Sequence, residues 1–317
     1  MLSVQQYTIE DEQNLSNTAV LDILQQNIQS DNQIEKFIDV QVLNLSCNNL
    51  IDLQLINLIE IQQLNISFNK VKDISCLAKL PKLTQLNASF NEITNVDVFQ
   101  HLPSITYLSL RNNLVTDTNA LKHLVNVEEL DLQNNLISDT SFLTELNALK
   151  MLNLTDNLVS SLARINSPNL THLHVSDNLI KSSYDLHFST GLQALDVSNN
   201  QIIDVTYLST LVNLQQANFS GNCIYNFFGL YSLQFFGSFD LTSQGQIAKI
   251  EMYKNELVHV IHKNPQLIQM RKHKQKYLQH FKNQQLKITT HVQNQQILFN
   301  QVLIECIKLQ SNQSCTQ

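Results

Sequence analysis

The residues most able to carry out chemistry are two histidines, His172 and His174, which stand two positions apart. Residues at this spacing project from the same face of a β-strand, and neutral imidazoles are common metal ligands. On the stacked strands that the sequence predicts, Asp156 and Asp177 should also lie nearby, so a metal-bound water with hydrolytic activity can be imagined. No third histidine completes the set, and a solvated surface or a partner contact is the simpler interpretation.

Motifs for other active sites are missing from the sequence. It contains no G-x-x-x-x-G-K phosphate loop, no G-x-G-x-x-G, no H-E-x-x-H and no G-x-S-x-G. With only 5 glycines in 317 residues, there is little material for a backbone cradle around a phosphate. We therefore predict a non-enzymatic protein that needs no cofactor.

An asparagine recurs every 21 or 22 residues and defines a repeat in which it occupies position 9. The repeat reads L-x-x-L-x-L-x-x-N-x-L. A buried Asn side chain both donates and accepts, so it can satisfy backbone groups that a sharp turn leaves unpaired. We interpret these asparagines as a structural ladder rather than a catalytic set: Asn48, Asn69, Asn91, Asn113, Asn135, Asn157, Asn178, Asn200 and Asn222.

The other repeat positions predict one strand and one helical turn per repeat. Positions 4 and 6 are apolar, which buries one face of a short strand and leaves positions 3, 5 and 7 in water. Position 13 is Asp, Asn or Ser, which are good helix N-caps, so a helical turn should begin there and bury positions 17 and 20. Stacked repeats then form an α/β solenoid, bent into a horseshoe with a parallel sheet on its concave face.

The side chains predicted on the concave face, at positions 3, 5 and 7, are mostly short and neutral, except in the middle repeats. Tyr and Arg dominate binding energy at protein interfaces, so we predict that a partner binds where these types gather. His174 should lie one strand spacing from Asn153 and Asp196. The predicted partner-binding residues are Tyr107, Arg111, Glu129, Asp131, Met151, Asn153, His172, His174 and Asp196. The alternative is a merely soluble surface.

Charge divides the chain into an acidic part and a basic part. Residues 1–244 carry 24 Asp and Glu against 10 Lys and Arg, a net charge of −14, whereas residues 245–317 carry 3 against 10, a net charge of +7. Apolar residues at helical spacing predict two or three helices in this tail. Its RKHKQK run is expected to be a solvated helix face rather than a nucleic-acid or lipid site. Folding back on the solenoid and self-association through a coiled coil remain open alternatives.

We predict three segments along the chain. Residues 1–39 form a leader and a degenerate capping repeat from about Thr18, with an amphipathic capping helix as the competing interpretation. Residues 40–244 form the solenoid, with nine full repeats and a partial tenth from Phe236. Residues 245–317 form the basic helical tail. Terminal repeats cover the core on one side only, which explains why both ends depart from the pattern.

The sequence also indicates a cellular compartment. Its 5 cysteines are scattered without a C-x-x-C pair, and its first residues do not resemble a signal peptide. No apolar run reaches the length of a membrane span. Five position-5 asparagines lie in N-x-S/T sequons, so a glycosylating compartment could cover the concave face with sugar. A cytoplasmic location, with the nucleus as the alternative, is the simpler expectation.

Repeats of the form L-x-x-L-x-L-S-x-N-x-I-x-D-I-x-x-L-x-x-L resemble the regulatory-subunit class of leucine-rich repeat proteins. Their namesake is the type-1 protein phosphatase regulatory subunit, and axonemal dynein light chains and bacterial internalins have related repeats. The resemblance covers about residues 18–244. It implies a horseshoe that binds protein on its concave face. The phosphatase regulator uses acidic and aromatic side chains there, and Tyr107, Glu129, Asp131 and Asp196 have that character.

Our leading hypothesis is a non-enzymatic scaffold that holds a protein partner on its concave face. The alternative is a regulatory subunit of a protein phosphatase or another enzyme complex. A metal-dependent hydrolase around His172 and His174 is the weaker third hypothesis.

Overall fold

The computed structural model describes residues 20–28, 38–55, 58–162, 165, 167–224 and 239–240. Short strands recur along these ranges, ten of them three residues long and the last one two residues long. They are β1 Val20–Asp22, β2 Val42–Asn44, β3 Gln63–Asn65, β4 Gln85–Asn87, β5 Tyr107–Ser109, β6 Glu129–Asp131, β7 Met151–Asn153, β8 His172–His174, β9 Ala194–Asp196, β10 Gln216–Asn218 and β11 Phe239–Asp240.

The strands form one 11-stranded sheet in which each strand pairs in parallel with the next one along the chain. The register is constant, because the same repeat position pairs throughout: Leu108 lies opposite Leu86 on one side and Leu130 on the other. Such a sheet, built from repeats of 21 or 22 residues, lines the concave face of a leucine-rich-repeat horseshoe, as predicted.

The core runs continuously beneath the sheet, since each repeat contributes the same buried positions. In the third repeat, Leu86 and Ala88 at positions 4 and 6 are fully buried, and so is Phe99 at position 17. Leu77 and Leu80 show that positions 17 and 20 are buried in the second repeat as well. Each repeat therefore buries its apolar side chains mainly against its neighbours, which is the way a solenoid is stabilised.

A left-handed residue at position 8 turns the chain away from each strand. The backbone φ angles of these residues lie between +52° and +69°. Glycine, asparagine and aspartate tolerate this region best, and six of the nine repeats use them. The residues are Cys47, Phe68, Phe90, Asn112, Asn134, Asp156, Asp177, Asn199 and Gly221.

The asparagine at position 9 holds this turn against the preceding repeat. The Asn113 amide donates to the carbonyl oxygens of Leu110, at 3.0 Å, and of Ala88 in the repeat before, also at 3.0 Å. Its oxygen accepts from the backbone N–H of Ile93 at 2.9 Å. Eight of the nine asparagines are buried and Asn69 is half-buried. The amide thus satisfies backbone groups of two repeats at once.

Every helix within these ranges is a 3₁₀ helix, and it begins two residues later than predicted. The helices start at position 15: Ser75–Lys79, Asp97–His101, Asn119–His123, Ser141–Thr144, Tyr184–Phe188 and Thr206–Thr210. The position-13 side chain accepts from the N–H of the first helical residue, as Asp73 does from Ser75 at 2.8 Å. It therefore closes a local turn before the helix, rather than occupying the N-cap that the sequence predicted.

The two ends of the sheet are strands β1 and β11. Strand β1 pairs in register with β2, Leu21 lying opposite Leu43, and β11 pairs with β10. The leader before residue 20 and the basic tail of residues 245–317, with its predicted helices and coiled coil, lie outside the described ranges. No helix among the described residues has the length and apolar character needed to cross a membrane.

Candidate functional site

Position 3 of four consecutive repeats forms a row of large side chains across the middle of the sheet. Tyr107, Glu129, Met151 and His172 lie opposite one another in register on β5, β6, β7 and β8. Glu129 is exposed, Met151 is 38% exposed, and the other two are half-buried. Strands to either side carry Gln or Ala at this position. The row is therefore a local change at position 3, which carries Gln or Ala on the neighbouring strands.

Position 5 forms a second row beside the first. Asp131, Asn153, His174 and Asp196 lie in register on β6 to β9, so His174 is flanked by Asn153 and Asp196 as predicted. The structure thus brings the predicted partner-binding residues of positions 3 and 5 into two adjacent rows, the first on β5 to β8 and the second on β6 to β9.

The acids and amides of position 5 also have a structural task that the sequence analysis did not assign. Asp131 accepts from the backbone N–H of Gln133 at 3.0 Å, and Asp196 from that of Ser198 at 3.0 Å. Asn153 makes the same bond with Thr155 at 3.0 Å. These bonds end the strand, so each side chain offers a partner only its remaining atoms. The sequence signal was an Asn or Asp at position 5, followed two residues later by a Ser or Thr in the repeats of Asn153 and Asp196 and by Gln133 in that of Asp131.

Burial and charge act together on Asp131. Loss of solvent raises the pKa of its carboxyl group, and the Gln133 N–H and electrostatic interaction with Arg111 and His174 offset only part of this rise. A raised carboxyl pKa indicates that ionised Asp131 is incompletely compensated in the free protein. A cationic group of a partner would supply the missing compensation.

Tyr107 is affected by the same neighbourhood. Burial raises the pKa of its hydroxyl, and the negative charges of Asp131 and Glu129 raise it further, while a hydrogen bond with Ser109 lowers it. The phenol is therefore protonated at neutral pH and can donate a hydrogen bond. This places a donor next to two acids in the middle of the sheet.

Arg111 connects this region to an aromatic pair that the sequence analysis missed. Its guanidinium carbon lies 5.7 Å from the centre of the Phe90 ring, a cation–π distance. Phe90 stacks on Phe68, whose side chain is 51% exposed. The signal was present in the sequence, because Phe68 and Phe90 occupy position 8, where most repeats carry Asn, Asp or Gly. The Arg111 Nε is buried and makes no hydrogen bond among the described residues.

The two histidines lie on strand β8, His172 in the first row and His174 in the second. A ring nitrogen of His172 lies 2.9 Å from the hydroxyl oxygen of Thr171, which anchors the imidazole. Over the described ranges, no three His, Cys, Asp or Glu side chains come together as a metal-binding group. Zinc sites in enzymes use three protein ligands, so the hydrolase hypothesis gains no support from this arrangement.

Comparison with known proteins identifies the repeats. A family model for leucine-rich repeats, two copies, matches residues 81–123. Internalin InlF of Listeria monocytogenes is 27% identical, with a TM-score of 0.66 over 73% of this chain and 69% of that one. Internalin C2 of the same species is also 27% identical, with a TM-score of 0.56 over 59% of this chain and 83% of that one.

A leucine-rich repeat protein of Leptospira interrogans shares the fold, at 20% identity and a TM-score of 0.56 over 76% of this chain and 77% of that one. A search of curated protein sequences found no match. The protein is therefore built from leucine-rich repeats, and such domains generally mediate protein–protein interaction and are typically not enzymes.

Proposed function

We propose that the protein is a non-enzymatic scaffold that holds a protein partner on its concave face. The observation that carries this proposal is the in-register row of Tyr107, Glu129, Met151 and His172 on four adjacent strands. Aromatic residues and Met are enriched at the centres of protein interfaces, and Tyr107 and Met151 belong to these types. Here they stand in one row on paired strands. A row on paired strands loses little conformational entropy when a partner binds.

The charges of the site indicate the chemistry of the partner. Glu129, Asp131 and Asp196 supply three carboxylates, while Arg111 is held against Phe90. Because burial leaves ionised Asp131 incompletely compensated, a Lys or Arg of the partner that reached it would gain more than at a fully solvated acid. The partner surface is therefore expected to present a basic side chain flanked by apolar groups that cover Tyr107 and Met151.

A narrower form of this proposal is that the partner is an enzyme, such as a protein phosphatase, and that the protein is its regulatory subunit. The specific support is the pairing of an aromatic residue with acids on the concave face, Tyr107 beside Glu129 and Asp131. The repeat pattern that resembles the phosphatase regulator points the same way. A cytoplasmic location, with the nucleus as the alternative, is part of the proposal.

The decisive experiment is affinity purification of the tagged full-length chain and two double variants. Tyr107→Ala with Met151→Ala removes two members of the row. Gln85→Ala with Gln216→Ala is the matched control, because both glutamines occupy position 3 on strands outside the row, β4 and β10. We expect the first variant to lose a partner that the wild type and the control retain, with a drop in affinity of tenfold or more, about 1.4 kcal/mol.

Thermal unfolding of all three proteins shows whether a loss arises from the surface or from unfolding. If both double variants capture the partner equally well, the row is not part of the binding site. Sequencing of the retained partner then decides between a phosphatase catalytic subunit and another protein.

A further inference from the structure

A second surface feature lies outside the concave face: four leucines exposed in a row at position 10. Leu114, Leu136, Leu158 and Leu179 are 47%, 45%, 48% and 42% exposed. The backbone N–H of each bonds to the position-11 carbonyl of the preceding repeat, as Leu136 does to Val115 at 3.0 Å. The four side chains therefore follow one another on consecutive repeats. We call them the leucine row.

The leucine row is confined to the middle of the solenoid. The same position carries polar, charged or cysteine side chains in the other repeats, namely Asn49, Lys70, Glu92, Gln201 and Cys223. Scattered exposed apolar residues are ordinary, but a contiguous group marks a contact surface. The row spans the three strand spacings from the β5 repeat to the β8 repeat, about 14 Å at the usual separation of strands.

Acidic residues border the leucine row on both sides. Asp156 and Asp177 precede Leu158 and Leu179 by two residues, at position 8. On the other side Asp117 and Asp139 follow Leu114 and Leu136 by three residues, at position 13. The other two repeats carry Ser161 and Ser182 there, and the last also has a basic Lys181 at position 12. Asp117, Asp139, Asp156 and Asp177 are all exposed. An apolar row with an acidic border fits a segment that is apolar on one side and basic on its flanks.

The chain itself contains such a segment. Residues 265–282 hold 5 Lys and Arg and no Asp or Glu. The basic residues are interleaved with apolar ones at helical spacing, including Leu267, Met270, Leu278 and Phe281. A helix of about 10 residues would match the 14 Å of the row at 1.5 Å per residue.

The segment is also close enough to reach the row. The sheet ends at β11, Phe239–Asp240, which is three strand spacings from β8 and six from β5, about 14 and 29 Å. The 24 residues between Asp240 and Pro265 span about 36 Å even if they are all helical.

We propose that residues 265–282 bind the leucine row of the same chain, with their basic side chains facing the acidic border. This contact covers the exposed leucines and explains why one chain combines an acidic solenoid with a basic tail. It is independent of the function proposed for the concave face, because it uses other repeat positions.

Site-specific photocrosslinking of the full-length protein tests this contact. Benzoylphenylalanine replaces Leu136 in one variant and Glu92 in the control, which occupies the same repeat position outside the row. In dilute monomer, we expect the probe at position 136 to crosslink to peptides from residues 265–282, at least fivefold more than the probe at position 92. Equal yields from both probes, crosslinks that join two chains, or crosslinks that avoid this segment would each overturn the proposal.

Hydrogen exchange gives a second measurement that needs no probe. We expect Asp156→Lys with Asp177→Lys to speed amide exchange in residues 265–282 at least fivefold, and 0.5 M salt to act in the same direction. Lys72→Glu with Lys79→Glu is the control, since both are exposed lysines of the second repeat, which does not contribute to the row. Unchanged exchange in the Asp double variant would contradict the charge-based part of the proposal.

Discussion

Phe68 and Phe90 stack face to face, with ring centroids 4.1 Å apart and ring planes 10° apart, although both residues have left-handed backbone conformations. The φ angle is +55° for each. Left-handed backbone costs an ordinary L-residue about 1–2 kcal/mol, whereas an aromatic pair returns about 0.5–1.5 kcal/mol. The stack therefore offsets about the strain at one of its two residues, while about half of the Phe68 side chain stays exposed to solvent.

The first prediction concerns this balance. Phe68→Asn should leave the free energy of unfolding within about 0.5 kcal/mol of the wild type. Asparagine tolerates the left-handed region, so the backbone strain that it relieves offsets the stacking energy that is lost. Phe68→Val should destabilise by more than about 1 kcal/mol, since a β-branched residue suits that region poorly and cannot stack. Urea unfolding of the three proteins measures both values. A large loss in the Asn variant would show that the aromatic pair stabilises the fold.

The second prediction concerns the asparagine ladder. Asn113→Ala should destabilise the protein by about 3–5 kcal/mol, because it leaves the Ile93 N–H and the Ala88 and Leu110 carbonyls without this partner in a buried place. Asn126→Ala is the control. Asn126 is exposed and donates one bond to the Pro103 carbonyl at 3.0 Å, so its loss should cost under about 1 kcal/mol. Similar urea midpoints for both variants would refute a special role for position 9.

The sequence predicted the stacked repeats well because the same positions are buried in every repeat. One apolar pair, such as Leu86 and Ala88, determines which face of its strand is buried. Because the pattern repeats, each strand must pair with the strand of the next repeat, with equivalent positions opposite each other. The position-13 residues were also singled out correctly as acceptors. Their helices begin later and are 3₁₀ helices, because the side chain bonds the N–H two residues ahead, as Asp73 does with Ser75, and leaves only one short turn for the helix.

The candidate site was less predictable, since exposed side chains follow no period. Spacing alone placed His174 beside Asn153 and Asp196, which the register confirms. It did not reveal the aromatic stack that holds Arg111, because a cation–π contact depends on the direction of side chains from two repeats. Nor did it reveal that Asp131 and Asp196 close the strand ends. Which residues bind a partner remains a prediction for the binding experiment.

The third prediction is a pH dependence at Asp131. Its raised pKa means that the folded protein binds this proton more tightly than the unfolded chain does. The resulting stability is fully present below the unfolded-state pKa of about 3.9 and is lost as the pH rises through the folded-state pKa. Asp131→Asn keeps the acceptor for the Gln133 N–H and removes the charge. We expect a higher urea midpoint than the wild type at pH 7 and no advantage at pH 3.5.

Asp139→Asn is a suitable control for that experiment, since Asp139 is exposed and makes the equivalent bond with Ser141 at position 13. Its urea midpoint should follow the wild type at both pH values. A gain at Asp131 that persisted unchanged at pH 3.5 would show that packing, rather than the buried charge, was responsible.

The fourth prediction concerns Gly221, the glycine at position 8 of the last full repeat. Its φ is +69°, and a Cβ there would lie 2.2 Å from the Asn199 side-chain oxygen and 3.2 Å from the Asn199 Cα. Asn199 cannot turn away freely, because its amide donates to Asp177 at 2.9 Å. Gly221→Ala should therefore destabilise the protein by about 1–3 kcal/mol, through left-handed strain and the crowding of Asn199.

Asn199→Gly should relieve the crowding but not the strain, so a double-mutant cycle is expected to show a coupling of at least about 0.5 kcal/mol. Additive effects in that cycle would mean that backbone strain alone explains why a glycine stands there.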